Sequence, residues 1–580
     1  MLKSLKENIL KNPPIIEDGM VLSKNPPHAI TISHLQECHS GTVTAEYYFA
    51  TRYFDLISDE EAKLMISELR KLQVTDENAP NFGCLRWYRE EDFVNDTNGA
   101  FFILLPLALA YKLFPEKMTE KEKEDILFLL KNGAYWFSSE TKKSLHYCNK
   151  IMSDGAMLAL IANITGECKK DCDEFWTKWH DYADNYGWGW GENTSDCYSA
   201  IMLNALNVVV LACEGELREK AEKRREMLLD YISFHDGREF VPSIRTYNYE
   251  AKASYGGSIY RTFHTSDHIG GFSDNVKYID VLHAVLIEKS GAKWIEKDRN
   301  RNTRNERLFG NSYAYTWESD KLRLGSVSHF PVMPCSYQSQ SFAPNGKPIT
   351  YGLGWQSTPV SAMVDDRIFF LRTRTQVGEN THYHPLLGKT HSGHAFNRLF
   401  EDGNITVFST ISAQTDNIAI VTRYANKLAN TASAIYDEWC APNGKVSEAE
   451  INGRKWFIIK GDEKAIAVCP LVGIYAGKND RAPMKTTVGE SGIFTTVTTT
   501  LYEGENKLLF APRVESSWVV VALENPEKAE EYLGKIEITD EVLPNFEITL
   551  HSPYKKRKIT CICEGKTTEL LIDPVNQIDY

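Results

Sequence analysis

The chain has 580 residues, enough for roughly two to four domains with extensive cores. Its net charge of −13 argues against nucleic-acid binding, which requires a basic surface. No apolar run reaches the roughly 18 residues of a membrane span, and the residues after Met1 lack the apolar stretch of a secretory leader. The 12 cysteines lack zinc-finger spacing and are interpreted as free thiols. We therefore expect a cytoplasmic protein without nucleic-acid or membrane partners.

Residues 1 to about 305 have helical periodicity, and amphipathic segments alternate with more apolar ones. Thr119 followed by Glu122 predicts a capping box at one helix start. The alternation favours a double layer of helical hairpins closed into an (α/α)n toroid, with n of about 5 to 7. Residues 1–305 are therefore predicted to form one helical domain.

Three of the apolar helical runs are preceded by polar segments that contain Asn95, Asn149 and Asn193, spaced 54 and 44 residues apart (149 − 95 and 193 − 149). In a ring of hairpins, the starts of the inner helices meet at one end of a central cavity. A cavity lined by Asn, Trp, Tyr and His suits a sugar. The residues that we expect to bind it at these helix starts are Asn95, His146, Asn149, Trp188 and Trp190.

The asparagines and the tryptophans at these helix starts also have a purely structural interpretation. A single asparagine at a helix start is more often an N-cap, although capping explains three such starts with flanking aromatics less well. Trp188 and Trp190 could pack between helices. Their flanking glycines favour instead exposed rings on which a sugar stacks.

The character of the chain changes near residues 299–312, a polar and basic linker. Beyond it, β-branched and aromatic residues alternate with polar ones, as in RIFFLRTRTQV and GIFTTVTTTLYEG, between turn signals such as Pro442-Asn443-Gly444. This pattern predicts a large antiparallel β-sandwich over 306–510 and a smaller β-rich segment over 511–580. The fold class is then α+β and multidomain.

One stretch has the arrangement of a known enzyme family. An Asp-Gly turn at Asp236-Gly237 follows a predicted outer helix, and Ser254-Tyr255-Gly256 follows it. With a toroid and a sandwich, this resembles the polysaccharide lyases of the hyaluronate/chondroitin lyase and heparinase II/III type, including the oligoalginate lyases. The resemblance implies that the toroid is the catalytic domain and that Tyr255 is the catalytic tyrosine. It also implies that Asn193, or Asn149 as second choice, grips a uronate carboxylate, and that His394 is contributed by the sandwich.

A dense group of ionisable side chains follows Tyr255. Tyr260, Arg261, His264, Asp267 and His268 all lie within residues 255–268. β-Elimination from a uronate needs a neutralised carboxylate, a base for the C5 proton and an acid for the departing oxygen. A free tyrosine has a pKa of about 10, so Tyr255 as base needs a nearby cation, for which Arg261 or His264 is the candidate. Each tyrosine in this group is otherwise a core or rim aromatic.

Further candidates lie in the predicted sandwich. His382 and His384 have a spacing at which imidazoles could bind a structural divalent metal, although solitary loop histidines are commoner. No other cofactor is expected. Trp355 is a candidate rim residue for the substrate.

Three functions remain open from the sequence. The first is a lyase that cleaves a uronate-containing poly- or oligosaccharide, its expected partner, by β-elimination. The second is a toroid glycoside hydrolase, which needs two opposed carboxylates. The third is a carbohydrate-binding protein without catalysis. The candidate carboxylates for the hydrolase are Asp96, Glu192, Asp196 and Asp267.

Overall fold

The computed structural model divides the chain into two compact units, Met1–Gly237 with Tyr255–Lys297, and Arg238–Ser254 with Asp298–Tyr580. This division differs from the three expected parts, since residues before 305 contribute to the second unit and no break occurs at 510. The structure describes residues 2–24, 31–32, 34–145, 147–189, 191–236, 238–246, 278–330, 356–377, 380–382, 409–425, 433–478, 480–491, 494–504, 514–543 and 556–573.

The first unit is a ring of helices. Five inner helices, α2, α4, α6, α8 and α10, pack each against the next, and α10 contacts both α8 and α2, so that the described inner helices close on themselves. Outside them, α3, α5, α7 and α9 pack against the ring. This arrangement confirms the predicted toroid. The helices are α1 Leu2–Lys11, α2 Gly41–Tyr53, α3 Asp59–Arg70, α4 Gly99–Leu113, α5 Glu120–Glu140, α6 Cys148–Thr165, α7 Lys169–Tyr186, α8 Asp196–Ala212, α9 Gly215–Phe234 and α10 Tyr278–Ser290.

The links between helices differ in length at the two ends of the ring. The inner helices α2, α4, α6 and α8 each run into the outer helix that follows through a short link, which makes the two antiparallel. The longer links, 71–98, 141–147 and 187–195, therefore lie together at the end where the inner helices begin. The three asparagine-bearing segments belong to these longer links and to the first turn of α6. A small sheet of Ile16–Glu17, Met20–Lys24 and Glu37–Ser40 precedes α2.

The burial of each helix follows its composition. The inner helix α6 carries CNKIMSDGAMLALIANIT and is buried almost throughout, whereas the outer α3 and α5 bury only one face. Capping boxes open both outer helices, at Ser58 with Glu61 and at Thr119 with Glu122, which confirms the predicted box at Thr119. Among the described residues, no helix is both long enough and apolar enough to cross a bilayer.

A buried ion-pair network ties α5 to the first hairpin. Glu122 is fully buried, and its carboxylate accepts hydrogen bonds from Arg52 Nε at 3.0 Å, Arg52 Nη2 at 2.6 Å and the Tyr48 hydroxyl at 2.8 Å. Arg52 also contacts Asp59 at 2.9 Å. A charge buried this deeply is stable only while its partners remain. Glu122 thus serves both as the capping residue of α5 and as the counter-ion that holds α2.

We predict that Glu122→Gln lowers the free energy of unfolding by about 3 kcal/mol, because it leaves the buried Arg52 without its main counter-ion. The measurement is the denaturant midpoint. Glu120→Gln, two residues earlier in α5, is the matched control, since Glu120 is largely exposed and forms a surface ion pair with Lys123. Equal midpoints for the two variants would show that the network contributes nothing.

A close approach of α6 and α7 depends on one glycine. A Cβ at Gly155 would lie 2.0 Å from the Phe175 ring. The Trp176 indole nitrogen donates to the Gly155 carbonyl at 3.0 Å. Because the three-residue link 166–168 makes the helices antiparallel, this contact sets which residues of α7 lie beside the start of α6.

The second unit is a β-sandwich with its core between two antiparallel sheets. The core contains Trp317, Phe369 and Trp439 from one sheet and Phe457 and Trp518 from the other. The first sheet has the order Thr486–Ser491, Phe494–Glu503, Ala434–Pro442, Arg367–Val377, Val360–Val364, Leu322–Val327, Tyr313–Ser319 and Thr303–Arg307, with Asn380–His382 beside Arg367–Val377. The second has the order Lys445–Ile451, Arg454–Lys460, Ala465–Pro470, Val514–Leu523, Ile418–Ala425, Ser409–Thr415 and His329–Phe330.

The strand Val514–Leu523 shows why the chain does not divide at 510. Its alternate residues Trp518 and Val520 face the sandwich core, while Val519 and Val521 face the opposite side of the sheet. That opposite side is covered by a short helix, Ala529–Leu533, and a sheet of three strands, Glu537–Val542, Arg557–Cys563 and Lys566–Ile572. The strand thus lies inside the second sheet of the sandwich, and the C-terminal segment packs on that sheet.

Candidate active site

Three asparagines lie at the starts of successive inner helices. Asn149 is the second residue of α6, Asn193 lies in a short 3-10 helix before α8, and Asn95 lies four residues before α4. Since α6 contacts both α4 and α8, the three helix starts are neighbours in the ring. The predicted convergence of these segments is therefore present in the fold.

None of these asparagines is an N-cap. The N-cap positions of α4 and α6 are Asn98 and Tyr147, and neither makes a side-chain cap hydrogen bond. The N-cap of α8 is Ser195, whose hydroxyl accepts from the backbone nitrogen of Tyr198 at 3.5 Å. The capping interpretation therefore does not account for Asn95, Asn149 or Asn193.

Glu192 joins the starts of α6 and α8. Its fully buried carboxylate accepts from the backbone nitrogen of Asn149 at 3.1 Å, from Asn149 Nδ2 at 2.5 Å and from Cys148 Sγ at 3.4 Å. Burial and the neighbouring Glu192 charge raise the pKa of the Cys148 thiol. The thiol therefore stays protonated and acts as a donor. Glu192 orients the Asn149 amide, so that its Oδ1 points away from the carboxylate.

Asn193 is the least satisfied polar side chain at this end of the ring. It is fully buried, and neither Oδ1 nor Nδ2 has a hydrogen-bond partner among the described residues. An unpaired buried amide costs about 1–3 kcal/mol, so proteins rarely retain one without a functional reason. Gly191, at a φ of 91°, supplies the left-handed turn that precedes the 3-10 helix Glu192–Thr194.

Trp188 does not have the exposure that its flanking glycines suggested. The side chain is only 3% exposed, with its ring 6.4 Å from that of Trp179 and 5.8 Å from the Arg224 guanidinium. The link after α7 folds back at Gly187 and packs Trp188 against α7 and α9. The expected exposure of the Trp188 ring is therefore wrong, and the ring packs between α7 and α9, while its predicted contact with a sugar stays a prediction.

The segment before α4 contains a buried carboxyl that the sequence analysis missed. Glu91 Oε2 accepts from the backbone nitrogen of Tyr88 at 3.0 Å, while its Oε1 has no partner among the described residues. Burial raises the pKa of Glu91 to about 7, although backbone hydrogen bonds act in the opposite direction. Nearby, Asn95 Nδ2 is also buried without a partner among the described residues. Neither a periodicity nor a dipeptide motif marks Glu91 in the sequence.

Two of the candidate carboxylates for hydrolysis, Glu192 and Asp96, already accept hydrogen bonds from neighbouring residues. Glu192 is committed to Asn149 and Cys148. Asp96 Oδ1 accepts from the backbone nitrogen of Asn98 at 2.9 Å, and Asp196 is the first residue of α8.

Many of the predicted site residues lie outside the residues that the structure describes, and their roles stay predictions. For His382, the backbone ends the strand Asn380–His382. Within the described ranges, no group of three or more His, Cys, Asp or Glu side chains is arranged to hold a metal. The predicted residues that lie outside are His146, Trp190, Tyr255, Tyr260, Arg261, His264, Asp267, Trp355, His384 and His394.

Solved structures similar to this chain include heparinase III, at 9% identity over 92% of this chain and 82% of that one, with a TM-score of 0.44. Another is the chondroitin AC lyase of Streptomyces coelicolor A3 in complex with chondroitin sulphate, at 9% identity over 99% and 88% of the two chains, with a TM-score of 0.43. No family model matches the chain, and no curated protein is significantly similar to it. The fold class rests on the ring of helices and the two-sheet sandwich described above.

We predict that Asn193→Ala does not lower the free energy of unfolding and raises it by up to about 1 kcal/mol, because it removes a buried amide whose desolvation no hydrogen bond offsets, while the cavity left behind cancels part of the gain. Ser195→Ala, two residues away, should cost about 1 kcal/mol, since it removes the cap of α8. Chemical denaturation of both variants tests the contrast. A larger loss for Asn193→Ala than for Ser195→Ala would mean that Asn193 has a structural role.

We predict that Glu91 makes the protein less stable as the pH rises. Its pKa in the folded state, about 7, lies above the ordinary 4.5, so the folded protein holds the proton more tightly than the unfolded chain. The resulting stabilisation is complete below pH 4.5 and is lost as the pH rises through 7. Glu91→Gln, which stays neutral, should therefore gain about 1–3 kcal/mol over the wild type between about pH 5 and about pH 8. A constant difference between the two proteins across this range would contradict the prediction.

Proposed function

We propose that this protein is a lyase that cleaves a uronate-containing poly- or oligosaccharide by β-elimination. The observation that carries the proposal is the buried, unpaired amide of Asn193 beside the Glu192–Asn149 contact. Two asparagine amides lie at neighbouring inner-helix starts. Glu192 orients the first, and the second has no hydrogen-bond partner among the described residues. Such a pair suits a ligand that has hydrogen-bonding groups of its own.

A uronate carboxylate is a ligand of that kind. When C5 loses its proton, negative charge spreads onto the carboxylate, and a donor aimed at that oxygen lowers the barrier. Asn193 Nδ2 is the proposed donor. Being neutral, it can occupy a buried position without the desolvation cost of a cation, while still accommodating charge as it develops. Asn149 is the second residue proposed to contact the sugar, with Asn95 at the next helix start.

The proton transfers are assigned through the sequence resemblance. Tyr255 is the proposed base and acid, with Arg261 or His264 lowering its pKa enough to release a proton, and His394 assisting. The proposed sugar contacts His146, Trp190, Tyr260 and Trp355 likewise follow from the sequence, as does the cytoplasmic location. A structural metal at His382 and His384 stays a separate proposal, with no part in the chemistry.

The lyase is preferred to the hydrolase because of the state of Glu192. A general base for hydrolysis must hold a water molecule against the sugar, at a separation of roughly 6.5–9.5 Å from the acid in an inverting enzyme. Glu192 is fully buried and already accepts hydrogen bonds from Asn149 and Cys148. It is better suited to orient Asn149 than to activate water.

We predict that Asn193→Ala lowers the rate of elimination about 100-fold or more, because it removes a donor to charge that develops in the transition state. Purified protein is incubated with a panel of uronate oligosaccharides, and the ultraviolet absorbance of the unsaturated uronate is followed. Tyr255→Phe should abolish turnover. Asn163→Ala is the matched control, since Asn163 lies at the opposite end of α6 from Asn149 and is exposed, where its side chain accepts a hydrogen bond from Lys112.

The products separate the competing functions. New reducing ends without ultraviolet absorbance would establish hydrolysis and contradict the lyase. Binding without any product from any member of the panel would indicate a carbohydrate-binding protein. Near-wild-type elimination by Asn193→Ala would remove Asn193 from the mechanism while leaving the reaction class in place.

A further inference from the structure

A stripe of three side chains on the outer helix α7 has no part in the site described above. Lys178, Tyr182 and Tyr186 are spaced by four residues, which places them on one face of the helix over a length of about 12 Å. The rings of Tyr182 and Tyr186 stack, with centroids 5.3 Å apart and planes 5° from parallel. Tyr186 is 56% exposed and Lys178 is also exposed, so the stripe offers an open aromatic face and a cation.

The stripe runs toward the start of α6. Phe175 of α7 packs on Gly155 of α6. Because the two helices are antiparallel, Tyr182, seven residues after Phe175, comes level with Cys148, seven residues before Gly155. Burial raises the pKa of Tyr182 to about 12, and the nearby Cys148 thiol contributes to the rise. Cys148 in turn contacts Glu192, which orients Asn149. Tyr182 therefore lies at the same level of the ring as the start of α6, where Asn149 lies, and Tyr186 lies one turn further toward the end with the longer links.

The stripe offers one cation, Lys178, to an anionic sugar, and Glu174, one turn earlier on the same face, pairs with Lys170 at 3.5 Å. Asp184, on the flank of α7 away from the stripe, forms an ion pair with Arg224 of α9. Asp181 is exposed next to Tyr182, and its backbone oxygen accepts from Asn185 at 2.9 Å. Lys178 has no acidic side chain within ion-pair distance among the described residues. A pyranose ring presents C–H groups to an aromatic face, and a uronate adds a carboxylate for which a lysine is the complementary group.

We propose that Lys178, Tyr182 and Tyr186 form an outer subsite that binds uronate-containing oligosaccharide beyond the sugar at Asn149 and Asn193. The occupant is the part of the oligosaccharide substrate that lies away from the bond to be broken. One pyranose ring stacks on Tyr186, and a uronate carboxylate contacts Lys178. This inference rests on the proposed function for its substrate class, but not for the existence of the aromatic face.

The test compares Tyr186→Ala and Lys178→Gln with the wild-type protein on the shortest uronate oligosaccharide that is cleaved and on a longer one. Both variants should raise KM about 3- to 10-fold for the longer substrate, leave KM for the shortest unchanged and leave kcat unchanged for both. Tyr135→Ala is the matched control, because Tyr135 is also about half exposed, at 53%, on an outer helix, and its ring lies 6.0 Å from that of Phe82 at a tilt of 40°. An unchanged KM for the longer substrate in both variants overturns the subsite. An equal rise of KM for the two substrates, or a rise of KM in the Tyr135→Ala control, overturns it as well.

A binding titration separates failure of the subsite from failure of the proposed function. The longer oligosaccharide is titrated into wild-type, Tyr186→Ala and Tyr135→Ala protein, with intrinsic tryptophan fluorescence or calorimetry as the readout. A higher Kd for Tyr186→Ala alone supports the subsite even if no elimination is ever observed. In that case only the proposed reaction is contradicted. The same Kd for all three proteins overturns the subsite even if elimination is confirmed, and an absence of binding to the wild type overturns both.

Discussion

The candidate site depends on one buried contact, in which Glu192 accepts hydrogen bonds from the backbone and side chain of Asn149. A carboxylate with no exposure to water is retained only where donors surround it, and here the donors come from the start of a different helix. The contact therefore ties the starts of α6 and α8 together while it orients the Asn149 amide. Asn193 is attached to the same short 3-10 helix, so its position follows from that of Glu192.

The architecture explains why such contacts collect at one end of the ring. The inner helices α2, α4, α6 and α8 are each followed, after a short link, by an antiparallel outer helix, so these four inner helices run in the same direction and the longer links share one end. Polar residues there can be brought together without interrupting the apolar walls of the ring. The opposite ends are closed by tight links that leave little room for a site. The same division sets the role of α7, which packs Trp176 and Trp179 inward and carries Tyr182 and Tyr186 toward the end with the longer links.

The features that the sequence predicted correctly are those that depend on interactions between residues close together in the chain. The box at Thr119 and Glu122, the alternation of helices and the alternating strands were all foreseen, since each depends on neighbours within a few residues. Trp188 was misjudged because its burial depends on Trp179 and Arg224, which no local pattern reveals. The position of Val514–Leu523 inside the second sheet of the sandwich was missed for the same reason, since strand order is set by distant pairing. Glu91 and the orienting role of Glu192 likewise arise from contacts made only in the folded chain.

Two residues before α8, Ser195 and Asn193, have separate roles. A helix start needs a side chain to satisfy its free backbone nitrogens, and Ser195 meets that need. Asn193 therefore does not cap the helix, which is the role that asparagine most often has at such a position. It is nevertheless held fully buried, with both amide atoms unpaired among the described residues, at a cost to stability that the fold has no structural reason to bear. A group of this kind, kept beside an oriented second amide, is what a protein retains when the missing partner is a ligand.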